Sequence, residues 1–337
     1  MIKNRYYNNI LIIHTAFIGD VILITPLIRA TKKLFPNANI DVIVIPQTKE
    51  ILENNPNIRS IITFNKRENK FIEFFKILKV VKNNRYDLGI SPHSSFTTAL
   101  IMKLGKIKER IGFDRWISAR LLTKKIEFKK NIHRIKKNLF LLSEFSAEKF
   151  EMQTELFPSE KMKEKASKIL EEINKPIIGI APGSVWQTKC WPKNYYKTLA
   201  NNLVKEGYFL LFFGSNNEKK ICEEIKPNSC TINLAGKMSI LESAAVIEKC
   251  DKMVCNDSGA LHIANAMKTD VYAFFGPTSK SFGYFPFREN DFVFEVELEC
   301  RPCRIHGSKK CPDGHFNCMK KINPQYVLEK LKAESNY

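Results

Sequence analysis

The sequence lacks an uninterrupted hydrophobic segment long enough to span a membrane, and its first apolar run does not have the form of an export signal. That run, NILIIHTAFIGDVILITPLI (residues 9–28), is interrupted by His14 and Asp20, and no small-residue cleavage site follows it. We therefore expect a buried strand, a loop and a helix in this region. This predicts a cytoplasmic protein in which the nine cysteines stay mainly reduced and structural disulfides do not form.

A dinucleotide fingerprint, short-period repeats and low-complexity tracts are also missing. Because no GxGxxG pattern follows the first apolar run, a nicotinamide-dependent dehydrogenase is disfavoured. Hydrophobic residues make up 44% of the chain and charged residues 26%, which are ordinary values for a packed globular protein and exclude disordered and fibrous classes.

Acidic residues are few compared with basic ones. Lys and Arg number 54 against 35 Asp and Glu, which gives a formal net charge of +19. This balance favours an anionic partner such as a phosphate, an acidic sugar, a lipid headgroup or a nucleic acid, although lysines spread over solvated faces would give the same sum. The most basic stretches, at 66–71, 79–85 and 129–137, lack a nucleic-acid-binding signature.

The length of 337 residues and the order of apolar segments predict two α/β domains. Short runs rich in Ile and Val alternate with segments of helical period, which is typical of parallel sheets covered on both faces. The segment 151–175 between the halves is charged and mostly helical and predicts a hinge near 155–175. We therefore expect domains at 1–157 and 158–322 and a terminal helix at 323–337. Predicted strands lie at 10–14, 40–45, 60–64, 87–92, 176–183, 208–214, 231–236, 252–257 and 271–277, and predicted helices at 21–35, 71–84, 195–207 and 239–249.

The first candidate site segment is HTAFIGDVILITP (14–26), in which a strand ends and a helix is expected to begin just past Gly19 and Asp20. Asp20 is suited to accept a proton from a substrate hydroxyl. An aspartate at this place is equally suited to cap the helix N-terminus, and the segment alone favours capping.

The second candidate segment is APGSVWQTKCWP (181–192), again a strand followed by a loop and a helix. Gly183 and Ser184 offer backbone and hydroxyl donors to a phosphate, and Lys189 offers a mobile positive charge. The segment is not a Walker A motif, because the second glycine and the Lys-Ser/Thr pair are missing. The alternative is an ordinary loop whose tryptophans are packing residues.

The third candidate segment is VCNDSGALHIANAM (254–267), where a buried strand runs into a turn at a helix start. Asp257 precedes the amides of Ser258, Gly259 and Ala260, which form a suitable cradle for a diphosphate at the positive end of a helix. His262 follows one turn into the helix and suits a ligand contact or a buried core position equally well.

Two weaker segments complete the predicted pocket. In FFGSNNEKK (212–220), Glu218 could bind ribose hydroxyls, although a glutamate there is usually a helix-start acid. In LAGKMSILE (234–242), the stretch 236–239 could seat a base, although Met238 is of a type usually found in the core.

Taken together and in this order, the segments resemble the ADP-heptose:lipopolysaccharide heptosyltransferases of glycosyltransferase family nine, most closely the heptosyltransferase II type. The resemblance covers about residues 10–330 and is weakest between 93 and 155. Besides the segments above, it rests on LFPNANIDVI near the start, on FFGPT, and on CRPC with CPDGHFNCM near the end.

The resemblance implies a GT-B fold, with two Rossmann-like lobes that face an inter-lobe cleft. The N-terminal lobe would bind the lipopolysaccharide-core acceptor and the C-terminal lobe the ADP-sugar. It makes Asp20 the general base, against the capping role. It also assigns Ser184 and Lys189 to the donor phosphates, Glu218 to the ribose, Met238 to the surroundings of the adenine, Asp257 to the heptose, and Ser258 and Gly259 to the phosphate.

The implied reaction is a single displacement that transfers L-glycero-D-manno-heptose. The acceptor oxygen attacks the anomeric carbon as Asp20 takes its proton, ADP leaves from the opposite face, and the anomeric configuration inverts. Lys189 and the amides at 258–260 would stabilise the leaving diphosphate, a task that needs no tightly held metal. An anionic glycolipid acceptor also implies a peripheral contact with the inner face of the inner membrane and no nucleic-acid partner.

Two other functions stay open on the residues alone. A nucleotide-sugar epimerase would need the same diphosphate site without an acceptor base, and a basic nucleic-acid-binding module would be indifferent to ADP.

Four cysteines near the C-terminus, Cys300, Cys303, Cys311 and Cys318, have the spacing C-x2-C-x7-C-x6-C. Four thiolates can close a structural zinc site, although this spacing departs from common zinc ribbons. Reduced thiols that pack a compact loop are the alternative.

Overall fold

The computed structural model describes residues 6–66 and 69–333. The basic stretch at 66–71 and the terminal helix predicted at 323–337 therefore lie partly outside the described residues. By its internal contacts the chain divides into two compact units, Met1–Phe157 and Pro158–Tyr337. Among the described helices, none is long and apolar enough to cross a bilayer.

The first unit contains one six-stranded, all-parallel sheet. Its strands are β1 (Asn9–Ile13), β2 (Asn39–Val44), β3 (Ser60–Thr63), β4 (Leu88–Ser91), β5 (Glu109–Phe113) and β6 (Lys124–Ile126), and its helices are α1 (Ile18–Ile22), α2 (Thr25–Leu34), α3 (Lys70–Asn84), α4 (Phe96–Leu104) and α5 (Arg134–Phe140). The strand order is β3-β2-β1-β4-β5-β6, so the direction of strand addition reverses between β1 and β4.

The second unit repeats this topology. Its strands are β7 (Ile177–Ala181), β8 (Phe209–Phe212), β9 (Thr231–Asn233), β10 (Lys252–Asn256), β11 (Asp270–Phe274) and β12 (Phe292–Phe294). Its helices are α6 (Glu160–Leu170), α7 (Lys193–Lys205), α8 (Lys219–Ile225), α9 (Ile240–Ile247), α10 (Gly259–Ala266), α11 (Asn317–Lys320) and α12 (Pro324–Ala333). The strand order is β12-β11-β10-β7-β8-β9, and here the reversal lies between β7 and β10.

The central strands are buried on both faces because helices cover both sides of each sheet. Every residue of β7 and β10 is buried, and these strands read as nearly continuous apolar runs, as parallel strands do. Each fully buried Ile, Leu or Val contributes about 1.5–3 kcal/mol of burial free energy. In the second unit Trp191 stacks on Phe274, with ring centroids 4.4 Å apart, so the core extends to the carboxyl end of the sheet where ligands bind in such folds.

The predicted α/β class and parallel sheets are confirmed, and the predicted strands occur with shifts of a few residues at their ends. The helix predicted at 21–35 is instead two helices, because Pro26 has no N–H to continue a helix and stands in the first turn of a new one. The segment 151–175 is helical only from Glu160, after the N-cap Ser159, whose hydroxyl accepts the N–H of Met162. The short strands β5, β6 and β12 were not predicted.

Candidate functional site

The second sheet reverses its strand order between β7 and β10, which lie side by side. In open parallel sheets, ligands bind outside the carboxyl ends of the strands at such a reversal. The loop after β7 contains Gly183, Ser184 and Lys189, and the turn after β10 contains Asp257 and Ser258. The fold therefore brings together two segments that the sequence analysis had selected separately.

Asn256, the last residue of β10, ties these segments together. Its buried amide donates to the carbonyls of Pro182 at 2.8 Å and Gly183 at 3.2 Å. Its side-chain oxygen accepts the backbone N–H of Trp191 and the hydroxyl of Tyr196, both at 3.0 Å. Burial raises the pKa of Tyr196, so the hydroxyl keeps the proton that it donates. The sequence analysis missed Asn256, although the residue stands in the NDSG turn.

We expect Asn256→Leu to lower the free energy of unfolding by about 3 kcal/mol or more, because it leaves two buried donors and two carbonyls without their partner. Urea denaturation measures this change. Asn201→Ala removes an exposed amide that bonds only within its own helix and is the matched control, expected to stay within about 0.5 kcal/mol. Equal stability of the two variants would contradict the role of Asn256.

Lys189 and Asp257 form an ion pair in which both side chains are mostly buried. Lys189 Nζ lies 2.7 Å from Asp257 Oδ2, and the hydroxyl of Thr278 donates to the same oxygen at 2.8 Å. The prediction gave these two residues different parts of a ligand, whereas the structure places them in contact. A diphosphate can take over Lys189 only by competing with this carboxylate.

Helix α10 begins directly beside this ion pair. Ser258 is its N-cap, with extended backbone (φ −148°, ψ −179°) and no side-chain capping bond. The first N–H groups of a helix have no acceptor within the helix. Ser258, Gly259 and Ala260 are half-buried, and amides at such a helix start favour an anion. His262, the fourth residue of the helix, is buried, as its core alternative required.

Glu218 lies against the loop after β7. A methyl group at Gly183 would overlap the Glu218 carboxylate, so a larger residue there would displace this side chain. Burial and then the charge of Glu218 raise the pKa of Cys190 to about 11. Glu218 also forms a capping box with Ser215, whose N–H it accepts at 2.6 Å. The carboxylate therefore has the helix-start role that the sequence analysis weighed, and its contact with ribose stays a prediction.

The predicted base-binding stretch, 236–239, lies next to the turn that leads to Glu218. Gly236, at φ +72°, donates to the carbonyl of Gly214 at 2.9 Å, and a side chain at 236 would collide with Asn216. Met238, two residues further along the chain, is half-buried.

In the first unit, Asp20 is the third residue of α1, and the N-cap is Phe17. The helix therefore begins before Asp20 rather than after it, and the capping alternative for Asp20 is wrong at the N-cap position. A carboxylate in the first turn is still favoured by the helix dipole. The side chain is half-buried at the carboxyl end of β1.

Two histidines lie near Asp20 that the sequence analysis did not select. The rings of His14 and His93 meet edge to face with centroids 6.2 Å apart, and they follow β1 and β4, the strands at which the order reverses. Burial, and then the charges of Arg134, His93 and Lys66, lower the pKa of His14. Burial, Arg134 and Lys66 also lower the pKa of His93, whereas Asp20 raises it. Asp20 therefore lies near two histidines that burial and the charges of Arg134 and Lys66 keep neutral.

This cluster contains buried polar atoms with no hydrogen-bond partner in the structure. They include the hydroxyl of Thr15 and Nε of Arg134. Buried polar groups are nearly always satisfied, so unpaired ones at the ligand-binding edge of a sheet indicate a place for a bound polar group.

Each of the two Rossmann-like units thus places charged side chains near the reversal of its strand order, where open α/β sheets bind their ligands. The model of "Glycosyltransferase family 9 (heptosyltransferase)" matches residues 74–312, and the chain belongs to this family. It is therefore a glycosyltransferase, and of the functions weighed from the sequence this is the one that the family supports.

Relatives and solved structures agree with this assignment. The chain is 30% identical to lipooligosaccharide heptosyltransferase 2 of Haemophilus influenzae, over 96% of this chain and 98% of that protein. It is 28% identical to the Campylobacter jejuni protein of the same name, over 95% and 96%. The structure of Escherichia coli ADP-heptose lps heptosyltransferase II has a TM-score of 0.80 and 25% identity, covering 96% of this chain and 98% of that one. E. coli heptosyltransferase WaaC with ADP-2-deoxy-2-fluoro heptose, at 16% identity and a TM-score of 0.74, shares the fold. The predicted GT-B fold class is confirmed.

Proposed function

We propose that this glycosyltransferase moves L-glycero-D-manno-heptose from ADP-heptose to the lipopolysaccharide inner core with inversion. The observation that carries the proposal is the pairing of Lys189 with the start of α10 at the strand reversal of the second unit. A lysine and a row of free helical amides together suit a diphosphate better than either does alone. In this proposal residues 158–322 bind the donor and residues 1–157 the acceptor.

The donor contacts follow from the positions of the side chains. Lys189, the hydroxyl of Ser184 and the amides at 258–260 bind the diphosphate and stabilise its charge as ADP leaves. Glu218 binds the ribose hydroxyls, for which a carboxylate is a double acceptor. Met238 lies against the adenine. When the phosphates bind Lys189, Asp257 exchanges its ion pair with Lys189 for hydrogen bonds to the heptose hydroxyls.

Asp20 acts as the general base. It accepts the proton of the acceptor hydroxyl as that oxygen attacks the anomeric carbon. Arg134 and Lys66, the cations whose charges depress the pKa values of His14 and His93, attract an acceptor that carries phosphate or carboxylate groups.

The test is a transfer assay with ADP-heptose and defined truncated core acceptors. We expect ADP release that depends on the acceptor and a glycoside with the opposite anomeric configuration to the donor. A change of the sugar in ADP-heptose alone, without acceptor, would instead identify an epimerase. Salt-sensitive oligonucleotide binding with indifference to ADP would identify a nucleic-acid-binding module.

Helix α3 suits the proposed peripheral contact with the inner membrane surface. Phe71 is 80% exposed, Phe75 64% and Ile72 55%, and on the helix they share one face with the exposed Lys79 and Lys82. Apolar side chains turned to solvent beside lysines are typical of helices that lie on anionic bilayers.

We expect Phe71→Ser/Phe75→Ser to weaken binding to phosphatidylglycerol-containing vesicles by about tenfold or more, since each phenylalanine loses on the order of 1.5 kcal/mol of burial. Vesicle flotation measures this, and binding of the unsubstituted protein should fall with salt and be weak on purely zwitterionic vesicles. Tyr326→Ser, which removes an exposed aromatic residue of α12, is the matched control. Equal flotation of the two variants would refute the contact through α3.

A further inference from the structure

Cationic side chains surround the ring of Phe128, which follows β6 at the carboxyl end of the first sheet. The guanidinium carbon of Arg115 lies 4.6 Å from the centre of the Phe128 ring, and Lys137 Nζ lies 5.3 Å from it. Arg134 stands three residues before Lys137 on α5, so the two side chains share a face of that helix. We refer to Arg115, Arg134 and Lys137 as the cation cluster.

The cation cluster has no counter-ion in the part of the chain that the structure describes. None of its three members forms an ion pair with an aspartate or a glutamate there, and Nε of Arg134 is buried without a hydrogen-bond partner. Lys137 is only 6% exposed, and burial, then the charges of Arg134 and Arg115, lower its pKa. Three like charges at one place repel one another unless an anion joins them, so the cluster indicates a site for a bound anion.

The cation cluster adjoins the surroundings of Asp20. Arg134 Nη2 donates to the carbonyl of Pro92 at 3.1 Å, and Pro92 directly precedes His93. The ring of His93 meets that of His14, and the charge of Asp20 raises the pKa of His93. A group that binds at the cation cluster is therefore a neighbour of the proposed reaction centre.

Trp116 lies directly beside the cation cluster and faces solvent. The guanidinium carbon of Arg115 is 5.0 Å from the centre of the Trp116 ring, and Trp116 is 70% exposed. Its backbone, at φ +64° and ψ 178°, is in a strained region that residues with side chains rarely adopt. The hydroxyl of Ser118 donates to the carbonyl of Arg115 at 3.0 Å, and the N–H of Ala119 donates to that of Trp116 at 3.1 Å, which fixes the loop in this shape. A strained backbone that holds a large aromatic ring in solvent is typical of a ligand contact.

A charged sugar matches this arrangement. The faces of sugar rings carry C–H groups that pack on aromatic rings, and a phosphate or carboxylate substituent forms strong hydrogen bonds with guanidinium and ammonium groups. We propose that the cation cluster binds the phosphate or carboxylate of a charged sugar in the acceptor, and that Trp116 stacks on the ring of that sugar. This subsite rests on the proposed function and deepens it, because it makes an anionic substituent a condition of acceptor recognition.

The test is a calorimetric titration of the full-length protein with three forms of one core oligosaccharide. These are the phosphorylated form, a dephosphorylated form, and a form in which the carboxylates are reduced to alcohols. Removal of the group that the cation cluster binds should weaken binding by at least about tenfold, as the loss of a charge-assisted contact does. The treatment that has this effect identifies the group as phosphate or carboxylate.

In Arg115→Gln and Lys137→Met, the same treatment should change the affinity by about threefold or less, because one of the charges that recognise the group is gone. Arg85→Gln, which removes an exposed arginine at the amino end of β4, is the matched control and should discriminate as the unsubstituted protein does. Lys137→Met should also unfold at an equal or higher urea concentration, since a buried cation without a counter-ion does not stabilise the fold.

Trp116→Gly should weaken the binding of the charged oligosaccharide by at least about fivefold, because the stacking surface is lost. It should unfold at an equal or higher urea concentration, since glycine adopts this backbone conformation without strain. Trp116→Phe keeps an aromatic ring and should retain most of the affinity.

No binding of the charged oligosaccharide, or equal affinity for all three forms in the unsubstituted protein, would overturn the anion site. Discrimination in Arg115→Gln and Lys137→Met as large as in Arg85→Gln would overturn it as well, and unchanged affinity in Trp116→Gly would overturn the stacking. Tighter binding of a single-stranded oligonucleotide than of the phosphorylated oligosaccharide would assign the ring and the cations to nucleic acid instead. Because the titration measures binding without turnover, a failure of this subsite and a failure of heptose transfer are separate results.

Discussion

Asp20→Asn is expected to lose turnover by a factor on the order of 100 or more while it binds ADP as the unsubstituted enzyme does. The amide keeps the size and polarity of the side chain in the first turn of α1 but cannot accept the acceptor proton. ADP affinity should not change, because the proposed ADP contacts all come from the second unit. Steady-state transfer to a core acceptor and calorimetric titration with ADP measure the two quantities.

Asp114→Asn is the control for this experiment, because Asp114 is an exposed carboxylate of the same unit. Its turnover should stay close to that of the unsubstituted enzyme. Full activity of Asp20→Asn would remove the assigned base and leave the fold and the donor site unaffected. A parallel loss of ADP binding in Asp20→Asn would show that the substitution acts through folding rather than through proton transfer.

Lys189→Met is expected to weaken ADP binding by about 10- to 100-fold, the equivalent of losing one hydrogen bond to a charged group of about 1.5–3 kcal/mol. The methionine keeps an unbranched apolar side chain of similar size and removes the charge and the N–H donors. Because the substitution also leaves Asp257 half-paired, with Thr278 as its remaining donor, a lower free energy of unfolding should accompany the loss. Calorimetry with ADP and urea denaturation measure the two effects.

Asp257→Asn separates the two roles of this ion pair. If Lys189 binds the phosphates, the loss of the negative charge on its partner Asp257 should leave the affinity for ADP unchanged or make it higher. If Asp257 binds the heptose hydroxyls, the same variant should have a higher KM for ADP-heptose. Weaker ADP binding in Asp257→Asn, to the same degree as in Lys189→Met, would mean that the pair is structural and that the phosphates bind elsewhere.

The periodicity of the sequence predicted most of the sheet strands, because strands buried on both faces are long apolar runs that little else in a sequence resembles. It failed where strands are short and charged. The segment Lys124–Ile126, for example, has a single buried residue at the edge of its sheet, so β6 gave no apolar run to recognise. The periodicity also predicted one helix where the structure has two, α1 and α2. The two helices continue one apolar pattern, and Pro26 in the first turn of α2 marks the break between them.

The site residues that carry a recognisable chemical group were selected from the sequence, among them Asp20, Lys189 and Asp257. Asn256 and Arg301, which hold these elements in place, were missed. Their role depends on which carbonyls face them: Asn256 bonds the loop after β7, about 74 residues earlier in the chain, and Arg301 bonds carbonyls beyond the end of β11. An asparagine or arginine with such a role has no local signature.

The sequence by itself determined the class of fold, the order of its units and the chemical groups of the site, because these depend on local periodicity and on residue type. Only the tertiary structure decided that Lys189 meets Asp257 and that Nε2 of His315 lies beside the Cys300 sulfur. Such pairings depend on which loops end at the same edge of a sheet. The separation of two loops along the chain does not predict whether they lie side by side, because the strand order β12-β11-β10-β7-β8-β9 decides which strands are neighbours.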